Sequence, residues 1–197
     1  MGNKPAANER YTIRRKVLKL FGAAFHVYDE QGSVVGYCKQ KAFKLKEDIK
    51  LYTGEDMNDM LLSIQAQSII DFSAAYTVVL PDGTALGSLR RKGLKSSFIR
   101  DEWTVFDTDN NEIATIRELG SITPIIRRYL DAIAFLFPQK YELTRTADSQ
   151  VIAVLRNHFN IFISKLGVAI VQEDESIDEL LVLGAACLIT AIEGRQN

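Results

Sequence analysis

The stretch Val78-Val-Leu-Pro-Asp-Gly83-Thr-Ala-Leu-Gly87 carries the pattern that decides the fold of this chain. Apolar residues flank the signal Pro81-Asp-Gly83, and such a turn between two short apolar runs is typical of a β-hairpin. Gly83 provides the positive φ that a tight turn needs at little cost. Gly87 stands four positions after the turn glycine and leaves room for something packed against the strand. The stretch therefore predicts a hairpin with one face against a packed interior.

The same pattern recurs along the chain. Residues 27–36 and 105–114 repeat it, and residues 145–153 are a weaker copy in which Ala153 is the small residue. A hairpin repeated around a closed sheet would produce this pattern, with a buried helix taking the room that the small residues leave. We interpret the aspartates in these copies as turn residues. Asp is favoured by turn geometry, and the ligand spacing of an EF-hand is absent.

Alternation of apolar and polar residues with period two covers most of the remaining chain. Short strands at this spacing, separated by turn signals, indicate a β-barrel or a β-sandwich with a few helices. Strands are predicted at residues 11–17, 25–29, 34–40, 61–67, 76–80, 85–92, 103–107, 112–118, 140–146, 151–157 and 160–166.

Two helical segments interrupt the strands. A short helical turn is predicted at residues 54–60. An amphipathic helix is predicted at residues 122–137, with Thr123 as N-cap, Pro124 at the first helical position and Pro138 after its end. Its apolar stripe favours packing on the outside or the end of the sheet, and the alternative is a helix lying in a membrane interface.

The run Leu180-Leu-Val-Leu-Gly-Ala-Ala-Cys-Leu-Ile-Thr-Ala-Ile192 contains no charge. As a helix it is about 20 Å long, against a bilayer core of about 30 Å, so it is too short to span a membrane unaided. It therefore predicts a helix that is apolar on all sides because protein surrounds it. Ser176 and Glu179 are spaced as a capping box at its start, and Gly194 is a natural stop.

Composition limits the classes of protein that this chain can belong to. It has 197 residues, 47% hydrophobic and 25% charged, which is typical of one soluble globular domain. Its 24 Lys and Arg nearly balance 25 Asp and Glu, which excludes a globally basic nucleic-acid binder and an acidic disordered tail. Cys38 and Cys187 form neither a disulfide framework nor a zinc site. We predict no cofactor and no metal.

The sequence lacks the signatures of the common enzyme classes. The patterns GxSxG, HExxH, GxxxxGK[ST] and GxGxxG do not occur. His26 and His158 are the only histidines, and no motif pairs them as metal ligands or as base and nucleophile. Cys38 and Cys187 are interpreted as core residues, because free cysteine is among the most buried residue types. The chain is therefore predicted not to be an enzyme.

Several motifs resemble those of the LURP-one-related family, which is grouped with tubby C-terminal domains and phospholipid scramblases. They are Tyr11-x-x-Arg14-Arg-Lys16, Phe25-x-Val-Tyr-Asp29-x-x-Gly32-x-x-x-Gly36, Lys41-Ala-Phe-Lys-Leu45, the hairpin copy at residues 105–114 and Ile116-Arg-Glu118. The resemblance covers residues 10–165. It implies a mainly β fold, a closed antiparallel barrel of about twelve strands threaded by a central hydrophobic C-terminal helix. The amphipathic helix at residues 122–137 is longer than this pattern leads us to expect.

The expected domain organisation follows from that resemblance. A flexible tail occupies residues 1–9, and a single tubby-like barrel domain occupies residues 10–197, with its central helix at residues 176–193. The resemblance also implies binding more than catalysis, because tubby-like domains bind phosphoinositide headgroups through basic surface residues.

Basic residues cluster in residues 10–50 and 90–100. If Ile13, Cys38 and Leu89 face inward, alternation directs the basic residues of these strands outward, where they are candidates for binding phospholipid headgroups. The alternative is a solvated barrel face whose lysines discourage edge pairing. The cluster has little aromatic interleaving and no nucleic-acid motif is present, so no nucleic-acid partner is expected. The candidates are Arg14, Lys16, Lys39, Lys41, Arg90 and Lys92.

Three functions compete on this basis. The leading hypothesis is a cytoplasmic, non-enzymatic module, peripheral to a membrane or acting in signalling, that binds anionic phospholipid. The second is a protein-interaction scaffold of the tubby-like fold that uses the helix at residues 122–137 as its partner surface. The third is a carrier of a small apolar ligand, which requires an open barrel interior.

Overall fold

A computed structural model describes residues 8–16, 23–40, 48–67, 75–92, 102–119, 139–158 and 163–193. Within these ranges the chain forms strands that are followed by one helix, α1 (Glu179–Glu193). The strands are β1 (Tyr11–Lys16), β2 (Ala23–Tyr28), β3 (Val34–Gln40), β4 (Ile49–Tyr52), β5 (Met60–Ala66), β6 (Ala75–Val79), β7 (Ala85–Arg91), β8 (Glu102–Phe106), β9 (Glu112–Leu119), β10 (Lys140–Arg145), β11 (Val151–His158) and β12 (Ile163–Ile170).

The strands form a closed antiparallel barrel. Each strand pairs with its neighbours in sequence, and β1 pairs with β12, in a register that runs from Tyr11 opposite Val168 to Lys16 opposite Ile163. Closure removes the unpaired edges that an open sheet would expose. The predicted mainly β barrel of about twelve strands is confirmed.

The barrel has two distinct ends. The turns that join β2 to β3, β4 to β5, β6 to β7, β8 to β9 and β10 to β11 all lie at one end, which we call the turn rim. The opposite end, where β1, β3, β5, β7, β9 and β11 finish, we call the far rim. The turn rim is formed by residues 29–33, 53–59, 80–84, 107–111 and 146–150.

Helix α1 fills the interior of the barrel. Leu181, Leu183, Ala186 and Leu188 are each at most 1% exposed, and the helix contacts β1, β5, β7 and β12. The helix is apolar all round because strands surround it. The predicted central helix is confirmed, and it occupies the space that a carrier of an apolar ligand would need to keep open. In the described part of the chain, no helix combines the length and apolar character needed to cross a bilayer.

The start of α1 corrects the predicted capping box. Asp178 is the N-cap, because its Oδ1 accepts a hydrogen bond from the Leu180 N–H at 2.7 Å. The Ser176 hydroxyl instead donates to Asp174 Oδ1 at 2.5 Å. The physical reason is the buried Ile177, which is 4% exposed and anchors the chain just before the helix, while Ser176 lies exposed in the preceding turn.

Glu179, the other member of the predicted capping box, anchors the helix to the first strand. Its Oε1 accepts a hydrogen bond from the Tyr11 hydroxyl at 2.6 Å and lies 2.8 Å from Arg10 Nε. Arg10 also continues the barrel closure, since its N–H donates to the Val168 carbonyl oxygen at 2.8 Å. The N-terminal strand and the helix are therefore joined at the turn rim.

The hairpin copies adopt the predicted turns. Gly83 has a φ of 91°, and Asp82 Oδ1 accepts a hydrogen bond from the Thr84 N–H at 2.9 Å. Gly87 has a φ of 150°, and a Cβ there would lie 2.5 Å from the Phe106 carbonyl oxygen and 3.0 Å from a methyl group of Leu181. This small residue therefore makes room for both the neighbouring strand and the central helix.

Some boundaries differ from those predicted. Residues 54–60 form no helical turn. Residues 54–59 belong to the connection between β4 and β5, where the Met57 N–H donates to the Gly54 carbonyl oxygen at 3.2 Å, and Met60 begins β5. Strand β4 was not predicted, and β12 begins at Ile163 and ends at Ile170, beyond the predicted limit. The predicted helix at residues 122–137 lies outside the described residues.

Candidate anion-binding surface

Two of the predicted basic residues lie on the same side of the barrel. Arg14 stands next to the buried Ile13 on β1, and its guanidinium lies 4.9 Å from the centroid of the Tyr28 ring. Lys39 is exposed on β3, one strand beyond β2. Lys16 is the last residue of β1, while Lys41 lies outside the described residues.

Arg90 and Lys92 lie on the opposite side, because β7 is halfway around the barrel from β1. The Arg90 guanidinium lies 4.7 Å from the centroid of the Phe106 ring. Lys92 Nζ is 2.5 Å from Glu102 Oε1, which is also 3.3 Å from Arg117 Nε. The Lys92 ammonium is the main cause that lowers the pKa of Glu102. The structure therefore does not bring the predicted residues into one patch, and the charge on this second side is locally balanced.

The side of the barrel that carries Arg14 gains basic residues that sequence reasoning missed. Lys165 on β12 is the direct cross-strand neighbour of Arg14. Arg156 on β11 lies one strand further, and Lys140 on β10 is directly opposite Arg156. We call these residues the basic wall: Arg14, Lys39, Lys140, Arg156 and Lys165.

The basic wall places like charges side by side. Cβ atoms of directly opposite residues are about 4.5–5.5 Å apart, and like charges at that distance destabilise a sheet. Both the Arg14–Lys165 and the Lys140–Arg156 pairs are of this kind. Lys140 is balanced by Glu142, whose Oε1 lies 2.8 Å from Lys140 Nζ. An anion bound beside such a pair would reduce the repulsion between its two charges.

Sequence reasoning missed the wall because it searched for charges close together along the chain. Lys165 lies on β12, which becomes adjacent to Arg14 only through barrel closure. Arg156 is an exposed residue of β11, and the sequence alone does not show which residues of the adjacent strands lie beside it. The signal that could have found these residues is the outward phase of β12, which the implied twelve-stranded topology places next to β1.

A carboxylate lies within the basic wall. Glu9, which is 8% exposed, has its Oε1 at 2.5 Å from His158 Nε2. Its Oε2 accepts a hydrogen bond from the Thr12 hydroxyl at 3.5 Å. A Cβ on Gly167 would lie 2.0 Å from the Glu9 carboxyl carbon, so the carboxylate occupies the space above this glycine. We call His158, Thr12 and Gly167 the cradle.

Charge is also divided along the barrel axis. The residues of the basic wall lie toward the far rim, whereas the turn rim is acidic. Two cations at the turn rim are paired there, Arg10 with Glu179 and Arg145 with Asp148. The acidic residues of the turn rim and of the entry to α1 are Asp29, Glu30, Glu55, Asp56, Asp59, Asp82, Asp107, Asp109, Asp148, Glu173, Asp174, Glu175 and Asp178.

Comparison with known proteins places the chain in a family. The family model described as LURP-one-related matches residues 34–189, which is most of the chain. The chain belongs to the LURP-one-related family. A protein from Arabidopsis thaliana, solved by X-ray crystallography, is similar in structure with 14% sequence identity, a TM-score of 0.49 and coverage of 98% of each chain. No curated protein matches the chain.

Membership of the LURP-one-related family supports a non-enzymatic module at the level of the family. The cysteines agree with the prediction that they are core residues. Burial raises the pKa of the Cys38 thiol to about 12 and raises that of the Cys187 thiol as well, so neither is poised as a thiolate near neutral pH. Among the described residues, no group of three or more His, Cys, Asp or Glu side chains could hold a metal ion.

Proposed function

We propose that this LURP-one-related chain is a non-enzymatic module, peripheral to a membrane, that binds anionic phospholipid headgroups through the basic wall and the adjacent Lys16. The observation that carries the proposal is the direct juxtaposition of Arg14 and Lys165, with Arg156 one strand away. Like charges next to each other in a sheet cost stability. Binding of an anion would offset that cost in stability, and attraction of anions is therefore the role that we propose for this surface.

The expected strength of the electrostatic attraction to the membrane determines the lipid concentration that the assay needs. Each Lys or Arg close to an anionic membrane contributes about 1 kcal/mol. Four such charges give about 4 kcal/mol, which corresponds to a dissociation constant of about 1 mM in accessible lipid. Binding is therefore expected at millimolar lipid and should weaken steeply as salt is added.

Aromatic residues beside the basic wall suit the same interface. Tyr37 on β3 is directly opposite His26 on β2 and Tyr52 on β4, and the rings of His26 and Tyr37 have centroids 4.9 Å apart. Tyrosine combines an apolar ring with a polar hydroxyl, which favours the headgroup region of a membrane. Tyr37 therefore extends the proposed contact from β12 across β1 to β3.

The test is co-sedimentation with vesicles of phosphatidylcholine alone or mixed with phosphatidylserine. We expect binding to the anionic vesicles only, and loss of most of it for the double variant Arg156→Gln with Lys165→Gln. The matched control is Arg90→Gln with Lys92→Gln, which removes two charges from the opposite side and should bind as the natural chain does. Equal binding to both vesicle types, or an unaffected Arg156→Gln, Lys165→Gln variant, would overturn the proposal.

A further inference from the structure

The Glu9 carboxylate has the environment of a bound anion. It is almost fully buried, yet it lies on the outer face of the barrel, because Thr12 alternates with the inward-facing Ile13 and Gly167 with the inward-facing Leu166. Its oxygens reach His158 Nε2 at 2.5 Å and the Thr12 hydroxyl at 3.5 Å. An imidazole ring nitrogen and a hydroxyl donor are groups that also bind phosphate oxygens.

Gly167 is what makes the cradle possible. It lies in the middle of β12, where glycine weakens a strand and often marks close approach of another group. Any side chain there would begin with a Cβ at 2.0 Å from the Glu9 carboxyl carbon and from Oε1. The strand therefore keeps a gap of carboxylate size on its outer face.

The basic residues next to the cradle favour the binding of an anion. Lys165 is directly opposite both Arg14 and His158, and Arg156 is directly opposite Gly167. Three basic residues therefore occupy strand positions next to the cradle that the Glu9 carboxylate fills. Glu9 comes from the chain segment that precedes β1, so this counter-charge is supplied from outside the barrel strands.

We infer that the cradle of His158, Thr12 and Gly167 is a phosphate-binding site, and that Glu9 occupies it as an internal ligand which an incoming phosphate group replaces. This inference deepens the proposed function and rests on it where the phosphate belongs to a lipid. Arg10 stays fixed to the Val168 carbonyl oxygen and to Glu179 during the exchange. Only Glu9 has to move, so the barrel keeps its closure.

An internal ligand reduces the affinity for an external one. The internal group acts at a high effective concentration because the chain holds it close to the site. The apparent affinity for phosphate falls in proportion to the fraction of time that the site is uncovered. Glu9 therefore acts as a brake on headgroup binding, and its removal should tighten binding instead of weakening it.

The experiment uses two probes and two variants of the full chain. The probes are phosphatidylcholine vesicles containing phosphatidic acid, followed by co-sedimentation, and inorganic phosphate, followed through the imidazole resonances of His158 by NMR. Glu9→Gln removes the internal anion while keeping its size, and Glu9→Gln combined with Gly167→Ala fills the cradle with a methyl group. The matched control is Glu112→Gln, an equal change in charge at an exposed position on β9.

We expect Glu9→Gln to bind the vesicles about threefold to tenfold more tightly than both the natural chain and Glu112→Gln, because the site is no longer covered. Adding Gly167→Ala should abolish that gain. If thermal unfolding shows that Glu9→Gln is not folded, Glu9→Asp withdraws the carboxylate from His158 and should show a smaller gain in the same direction.

Failure of this inference differs from failure of the proposed function. If Glu9→Gln, Glu112→Gln and the natural chain bind both probes equally, the cradle is not a ligand site, while binding to anionic vesicles still supports the membrane role. If no form binds vesicles but inorganic phosphate shifts the His158 resonances in Glu9→Gln alone, the cradle is a site for phosphate in solution and the membrane role is wrong.

Discussion

At the scale of single residues, Tyr11 carries much of the connection between the first strand and the central helix. Its hydroxyl donates to Glu179 Oε1 at 2.6 Å, and a hydrogen bond to a charged group contributes about 1.5–3 kcal/mol. Tyr11→Phe should therefore lower the free energy of unfolding by about 1–2 kcal/mol in urea denaturation, since the site is partly exposed. Tyr52→Phe is the matched control and should change it little. Equal effects of the two substitutions would mean that the Tyr11 hydroxyl does not anchor α1.

The same residues predict how stability depends on alkaline pH. Burial, followed by the hydrogen bond to Glu179, raises the pKa of Tyr11 from 10.0 to about 12, and burial raises that of Cys38 from 9.0 to about 12. A group whose pKa is higher in the folded state contributes stability that is complete below its unfolded pKa and is lost as pH rises to the folded value. The urea midpoint should thus fall from pH 9 to pH 12, and less steeply between pH 10 and 12 in Tyr11→Phe. A midpoint that stays constant over this range would contradict the prediction.

At the scale of elements, the start of α1 separates two capping schemes. Asp178→Ala should destabilise the protein by about 1 kcal/mol, since it removes the acceptor for the Leu180 N–H. Ser176→Ala should cost less, because the Ser176 hydroxyl bonds only Asp174 in the preceding turn. Chemical denaturation of the two variants measures the difference, and a larger loss from Ser176→Ala would restore the capping box.

The interior position of α1 gives a second prediction at this scale. Leu188, 1% exposed, is enclosed by the barrel, and an ionised carboxylate without a partner there is prohibitively costly. Leu188→Asp should prevent folding, as seen by loss of the near-ultraviolet circular dichroism signal. The control Val171→Asp changes a residue that is 59% exposed and should fold. A folded Leu188→Asp variant would show that the helix can leave the interior.

Local elements could be predicted from the sequence, and pairings distant in sequence could not. The hairpins around Gly83 and Asn110 are indicated by turn residues that are adjacent in sequence. The burial of α1 is indicated by its run of residues without charge. Strand β4 was missed because Ile49–Tyr52 is too short to establish a period of two. The basic wall and Glu9 were missed for another reason. Their grouping depends on the pairing of β1 with β12, which no local pattern encodes.

At the scale of the whole molecule, a net charge of −1 conceals a barrel with an acidic turn rim and a basic wall toward the far rim. Such a charge distribution steers a protein before contact, and its effect falls with ionic strength. The acidic rim is repelled by an anionic surface while the basic wall is attracted. Under the proposed membrane role, the barrel should therefore approach an anionic membrane with its far rim nearest to the lipid.

Strand β1 is essential to the fold of the barrel, because the barrel closes by pairing of β1 with β12. Deletion of residues 1–16 removes every pairing between β1 and both β2 and β12 and opens two sheet edges. We expect the shortened chain to lose the dispersed amide spectrum of a folded protein. A peptide of residues 8–16 supplied in trans should restore it in part, because an added strand can complete an open sheet. A cooperatively unfolding shortened chain of unchanged stability would contradict this expectation.

The pairing of β1 with β12 also determines when the barrel can close during synthesis of the protein. Strand β1 is synthesised before the other strands but cannot pair with β12 until β12 has been made. Helix α1, which fills the core, is synthesised after both strands. Until then the nascent chain exposes apolar residues such as Ile13 and Phe25 that are later fully enclosed. Exposed apolar surface and unpaired strands favour aggregation, so we expect chaperones to reduce aggregation of the growing chain. A premature stop before α1 would release a set of strands whose apolar inner face has no helix to cover it.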